Sequence, residues 1–192
     1  MTRTLHCFCA LVISFQLTAQ TNLTEGANLL FKNLPSKLTN TEKNQIFKDI
    51  GFVLSKDKKQ FVDASDENKE FPFNALVYPT DLNKDNQEEV FISFGNSYTS
   101  GNTGSSIVAF IKDASGKYKM QLGFPGLTPE ALTTVSKGYP DLLIGGPGFE
   151  FPVWRWSGTE YKFLRTVKDA DYAKLKKTSI EDLSKTYTGS LK

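Results

Sequence analysis

Asp81, Asn83, Asp85, Gln87 and Glu89 occupy positions one, three, five, seven and nine of the segment Asp81-Leu82-Asn83-Lys84-Asp85-Asn86-Gln87-Glu88-Glu89. In a tightly turning backbone, alternate residues point to one side. Four oxygen-bearing side chains and the carbonyl of Gln87 can therefore converge, and hard oxygen donors suit a hard cation such as Ca2+. Asn86 stands where the chain must turn sharply, and asparagine tolerates positive φ better than most residues. Position twelve is Ile92, not the bidentate glutamate of an EF-hand, so the loop is expected to join strands rather than helices. The competing reading is a hairpin turn whose Asn and Asp side chains serve only their own backbone. The spacing predicts a structural Ca2+, of the weak kind (~10⁻⁴ to 10⁻³ M) that fills outside the cytoplasm.

Little else in the chain offers reactive chemistry. The single histidine, His6, and both cysteines, Cys7 and Cys9, lie within residues 1–19. That stretch begins with Arg3, runs apolar from Leu5 to Leu17 and ends at Leu17-Thr18-Ala19, the pattern of a cleaved signal peptide. Its apolar run falls short of the roughly 20 residues a membrane span needs. Neither cysteine follows the small residue a lipid-attachment site requires. The expected product is a soluble periplasmic or secreted protein without a disulfide and without thiol, imidazole or zinc chemistry. Removing 19 of 192 residues leaves 173, with 22 basic residues against 21 acidic because Arg3 departs with the leader. A net charge of +1 with no basic stripe predicts neither nucleic acid nor another polyanion as partner. Carboxylate pairs and Ser-Lys dyads remain as catalytic options, and no spacing marks either, so the chain reads as a non-enzyme.

The elements that must position the loop follow from periodicity. Residues 20 to about 62 read as helical, with a short helix near Glu25 to Phe31 and a capping box at Thr39-Asn40-Thr41-Glu42. Ile46, Phe47 and Ile50 give that second helix its apolar stripe, and Gly51 is its stop. Residues 63–69 read as a surface loop. From Phe71 to about Thr166 the pattern turns to short apolar runs punctuated by Gly, Pro, Asn and Asp. Strands are expected at 74–78, 89–94, 107–112, 118–122, 132–135, 141–144, 153–156 and 161–165. Residues 168–191 return to helix, with a second capping box at Thr178-Ser179-Ile180-Glu181.

The strand region repeats internally. Glu89-Val90-Phe91-Ile92, Ile107-Val108-Ala109-Phe110 and Gly116-Lys117-Tyr118-Lys119 are echoed by Asp141-Leu142-Leu143-Ile144, Val153-Trp154-Arg155-Trp156 and Gly158-Thr159-Glu160-Tyr161-Lys162. Repeats of this kind bury their faces against one another. Asp81-Leu82-Asn83-Lys84-Asp85 leading into Val90-Phe91-Ile92 resembles the FG-GAP or VCBS-type repeat. That resemblance implies a calcium loop between strands of a propeller blade. The stretch through Gly145-Gly146-Pro147-Gly148-Phe149, Pro152-Val153-Trp154-Arg155-Trp156 and Tyr161 is similar to a group of uncharacterised exported bacterial proteins and covers about half the chain. Members of that group carry cysteines near positions matching Thr99 to Gly104 and Glu150, and this chain has none there. Two units are too few to close a propeller. The expected fold is thus α+β: an antiparallel sheet of two propeller-blade-like repeats at 71–167, a helical segment at 20–70 and a C-terminal helix at 168–192, in one compact domain.

Two glycine-rich loops, at 95–105 and 145–148, hold equivalent places in the repeat. They run into strands and lack the lysine and helix of a phosphate loop, so they read as hairpin loops able to lie side by side as a binding rim. Trp154 and Trp156 share one face of their strand. Core packing is their ordinary fate; the alternative is an exposed surface, with Tyr98 and Phe149, for a protein partner or a glycan. The functional expectation is an exported, calcium-stabilised, non-catalytic binding module. The alternatives are a periplasmic inhibitor or immunity protein acting against an envelope hydrolase or toxin, and a carboxylate-based glycosidase.

Overall fold

The computed structural model describes residues 21–66 and 69–191; the signal peptide expected at 1–19 lies outside them. Helix α1 (Glu25–Leu30) starts at Thr24, whose Oγ1 accepts the Ala27 N–H at 3.3 Å. Helix α2 (Asn40–Asp49) starts on the expected capping box: Thr39 Oγ1 accepts the Glu42 N–H, and Glu42 Oε2 accepts the Thr39 N–H. Gly51, at φ +77°, turns the chain out of this helix, as a glycine can without Cβ strain.

The helical expectation fails beyond that glycine. Phe52–Leu54 (β1) and Phe61–Asp63 (β2) form an antiparallel hairpin. Its apolar residues pair across strands, and Ser55 Oγ and Asp57 Oδ1 brace the turn at 2.7 Å. The sequence period changes at Phe52, a signal too short to separate from a last helical turn.

Eight strands then form two antiparallel meanders. The first contains β3 (Ala75–Thr80), β4 (Glu89–Phe94), β5 (Ser106–Lys112) and β6 (Tyr118–Pro125), each paired with the next. The second contains β7 (Glu130–Ser136), β8 (Tyr139–Leu143), β9 (Glu150–Trp156) and β10 (Tyr161–Lys168) in the same serial order. The C-terminal stretch is not simply helical. It contains α3 (Asp169–Tyr172), then β11 (Lys177–Ser179) on the outer edge of β7, then α4 (Ile180–Ser190). Ser179 caps α4 by accepting the Asp182 N–H at 3.0 Å, so the cap sits one residue later than the expected box. The observed class is α+β, with mainly antiparallel strands in open sheets.

Strand alternation creates a layered core. Val90, Ile92, Val108 and Phe110 face α1, α2 and the β1–β2 hairpin. Their neighbours Phe91, Ile107, Ala109 and Ile111 face the second meander, meeting Leu142, Ile144, Trp156 and Tyr161. The far side of that meander buries Leu143, Val153 and Val167 beneath Phe151, Tyr172 and Leu175. The sequence repeat reappears as hydrogen bonds. Tyr118 of β6 donates its hydroxyl to Glu88 O at 2.9 Å, and Tyr161 of β10 donates to Pro140 O at 3.0 Å. Each tyrosine thus ties the last strand of its meander to the residue just before the acid that opens, or nearly opens, the second.

Candidate functional site

The segment from Asp81 to Glu88 joins β3 to β4, as the spacing predicts. Lys84 and Asn86 take positive φ (61° and 67°) and fold it tightly. The loop's own N–H groups orient its side chains. Asn86 N–H donates to Asp81 Oδ2 at 3.1 Å, Asp85 N–H to Asn83 Oδ1 at 3.1 Å, and Gln87 N–H to Asp85 Oδ1 at 2.8 Å. Asn83 Nδ2 and Gln87 Nε2 donate to the other Asp85 oxygen. Asp81 Oδ1, by contrast, is buried and has no hydrogen-bond partner. A buried acceptor left unpaired costs about 1–3 kcal/mol unless water or an ion meets it.

Glu89 closes the loop from the first position of β4 and is 1% exposed. Its Oε2 accepts the Leu82 N–H at 2.7 Å, and its Oε1 accepts the Tyr139 hydroxyl at 3.0 Å. Burial pushes its pKa up to about 8, and the nearby charges of Asp85 and Asp81 add to the rise against the pull of the two hydrogen bonds. Three carboxylates therefore act on one another across a small loop. Among the described residues no group of three or more His, Cys, Asp or Glu side chains stands in metal-holding geometry: Asn83, Asp85 and Glu89 point their oxygens at N–H and O–H donors. Of the five predicted ligands, the structure brings Asp81, Asp85 and Glu89 into electrostatic contact, and Asn83 into hydrogen bonding with Asp85.

Sequence reasoning missed Glu88 and Tyr139. Glu88 is 3% exposed and binds the N-terminal segment, accepting from Ser36 Oγ and Lys37 N, each at 2.7 Å. Its partner lies about fifty residues upstream, and nothing local announces that distance. Tyr139 could have been suspected, since Tyr139-Pro140-Asp141 precedes the second repeat as Gln87-Glu88-Glu89 precedes the first. A mainly apolar cavity of about 430 Å³ lies beside the loop, walled by Asp81, Leu82, Leu132, Pro140, Leu183 and Tyr187 among others.

The two tryptophans take the core packing expected of them, and the alternative of an exposed tryptophan surface falls away. Trp156 is 7% exposed and packs with Tyr139 and Tyr161 between the meanders. Trp154 lies on the same face, stacked on Phe124 at 5.1 Å, with its indole N–H buried. Both rings are large enough that the inter-sheet space claims them. Tyr98 and Phe149 are exposed, on the two glycine-rich loops. No family model, curated protein or solved structure matches the chain.

Proposed function

We propose that this protein is an exported, non-catalytic binding module built on two blade-like repeats, in which the β3–β4 loop holds one structural Ca2+. The supporting observation is the buried, unpartnered Asp81 Oδ1 beside a loop whose other acidic side chains are already oriented by its own N–H groups. A divalent cation would supply that oxygen with a partner and offset the mutual repulsion of Asp81, Asp85 and Glu89. Asn83 and Asp85 would exchange hydrogen bonds for the ion within the exposed turn, and the buried Glu89 would give up its bond to the Leu82 N–H or the Tyr139 hydroxyl.

The ion's task would be to pin the loop to the start of β4, and through Glu88 to fix the N-terminal segment. Thermal unfolding with excess calcium and with chelator tests this. At a calcium concentration 100 times Kd the gain is about 2.7 kcal/mol, which for a chain of this size raises the midpoint by roughly 5–10 °C. The double variant Asp81→Ala/Asp85→Ala should show no such response. Equal midpoints for the unmodified protein in both conditions would reject a stabilising ion.

A further inference from the structure

We propose that the cleft between the two glycine-rich loops is the ligand site of this module, and that its ligand is an uncharged oligosaccharide; this rests on the binding-module reading above and names its ligand class. The loops join equivalent strands, β4 to β5 and β8 to β9, and meet in space. Gly126 N–H donates to Ser105 O and Leu127 N–H to Gly145 O, so one two-residue link is bonded to both loops. A cleft of about 190 Å³ lies there, walled by Thr103, Phe124, Gly145, Pro147, Glu150 and Phe151 among others. Pockets for drug-sized ligands begin near about 300 Å³, so this space suits a single ring. Its walls combine apolar surface from Phe124 and Pro147 with the hydroxyl of Thr103 and the carboxylate of Glu150. A pyranose divides the same way, with C–H faces above and below and hydroxyls around its edge.

The surroundings extend that match. Residues 95–105 are only Gly, Asn, Ser, Tyr and Thr, and residues 145–149 only Gly, Pro and Phe. Neither segment carries a charge, and Glu150 disfavours an anion. Each presents one ring. Phe149 is 85% exposed and Tyr98 is 78%, the two highest values for large apolar side chains among the described residues. Tyr98 is held in place: Asn96 Oδ1 accepts the N–H groups of Tyr98 and Thr99, Asn96 Nδ2 donates to Pro72 O, and the ring stacks on Phe71 at 4.9 Å. A Cβ on Gly95 (φ +108°) would lie 2.2 Å from Ser100 Oγ, so the loop closes only with glycine there. A ring fixed before contact, as Tyr98 is, loses little freedom on binding. Loops of Tyr, Ser, Gly and Asn also suit protein partners, but a ring-sized cleft with hydroxyl-bonding walls favours sugar. Glu150 is the one carboxylate among the residues walling it, where glycoside hydrolysis uses two, so the site binds rather than cleaves.

Titration of the protein with short neutral chito-, cello-, malto- and galacto-oligosaccharides tests the proposal. Tryptophan emission serves as the signal, because Trp154 stacks on the cleft residue Phe124. At least one sugar should bind saturably. Thr103→Val and Glu150→Gln, both at residues that wall the cleft, should each weaken it by about tenfold, read beside the unfolding midpoint of each variant. No saturable response to any member at millimolar concentration, or undiminished binding by the double variant, overturns the proposal, as does a loop surface that binds only protein. Running each titration with calcium and with chelator separates the two readings: sugar binding without a calcium-dependent midpoint removes only the ion, and the converse removes only the sugar.

Discussion

Glu89→Gln should stabilise the calcium-free protein at alkaline pH, and the size of the gain follows from where the carboxyl sits. Its pKa is about 8 in the folded protein, against 4.5 for the free side chain. The folded state therefore keeps the proton over a range in which the unfolded chain releases it, and stability falls as pH rises from about 4.5 through 8. The gap corresponds to at most about 5 kcal/mol, of which roughly 3 kcal/mol is lost by pH 7. A glutamine keeps the shape. Its oxygen accepts the Leu82 N–H, and its amide donates to Tyr139, whose hydroxyl can act as acceptor. Urea unfolding in calcium-stripped buffer between pH 5 and 8.5 should show the midpoint of the unmodified protein falling while that of Glu89→Gln stays nearly level. Saturating calcium should flatten the profile of the unmodified protein, because the ion requires the ionised carboxylate and releases its proton on binding. Parallel profiles for the two proteins without calcium would refute the assignment of the titration to Glu89.

Two further outcomes test the framework around the loop. Tyr118→Phe and Tyr161→Phe each strip the donor from a main-chain carbonyl next to a repeat acid, and each should cost about 1–3 kcal/mol in urea unfolding; a large loss from one and none from the other would break their equivalence. Thr39→Ala removes the α2 cap and should cost about 1 kcal/mol, read as a lower urea midpoint at unchanged m.

The strands were legible because their signal is local. All eight runs expected between Asn74 and Arg165 form strands, and β4 matches to the residue. The others differ by a few residues at their ends, as with β10, which continues to Lys168 opposite Glu150. Such extensions are decided by the neighbouring strand, which periodicity does not see. The β1–β2 hairpin and β11 were missed because three-residue strands carry too few positions to show a period of two. The β3–β4 loop was legible in its turn residues and its place between strands. Its electrostatics were not, since they depend on Tyr139 lying over Glu89 from the other meander. The two glycine-rich loops were expected side by side and do meet, because the repeat that places them is encoded in strand order.

The same repeat supplies the physical case for a cation. Glu89 and Asp141 are corresponding acids, and both are about 1% exposed. Asp141 is answered within the protein. Burial alone would raise its pKa, but Arg155 on the next strand donates Nε and Nη2 to it at 2.9 and 2.7 Å, Thr134 donates a hydroxyl, and its pKa is lowered. A bidentate guanidinium is the strongest partner a carboxylate finds among side chains. The first meander has no such answer for Glu89. Its next strand, β5, carries one basic residue, Lys112, and that lysine pairs with Glu42 at 2.7 Å. Glu89 instead receives a phenol and a backbone N–H while two further carboxylates press on it. Equivalent buried acids in equivalent places thus have opposite electrostatics. The second repeat encodes its counter-charge as an arginine, and the first has a loop of oxygens, one of them unpartnered, where a positive charge would restore the balance. That asymmetry, more than the spacing of the loop alone, supports the proposed ion.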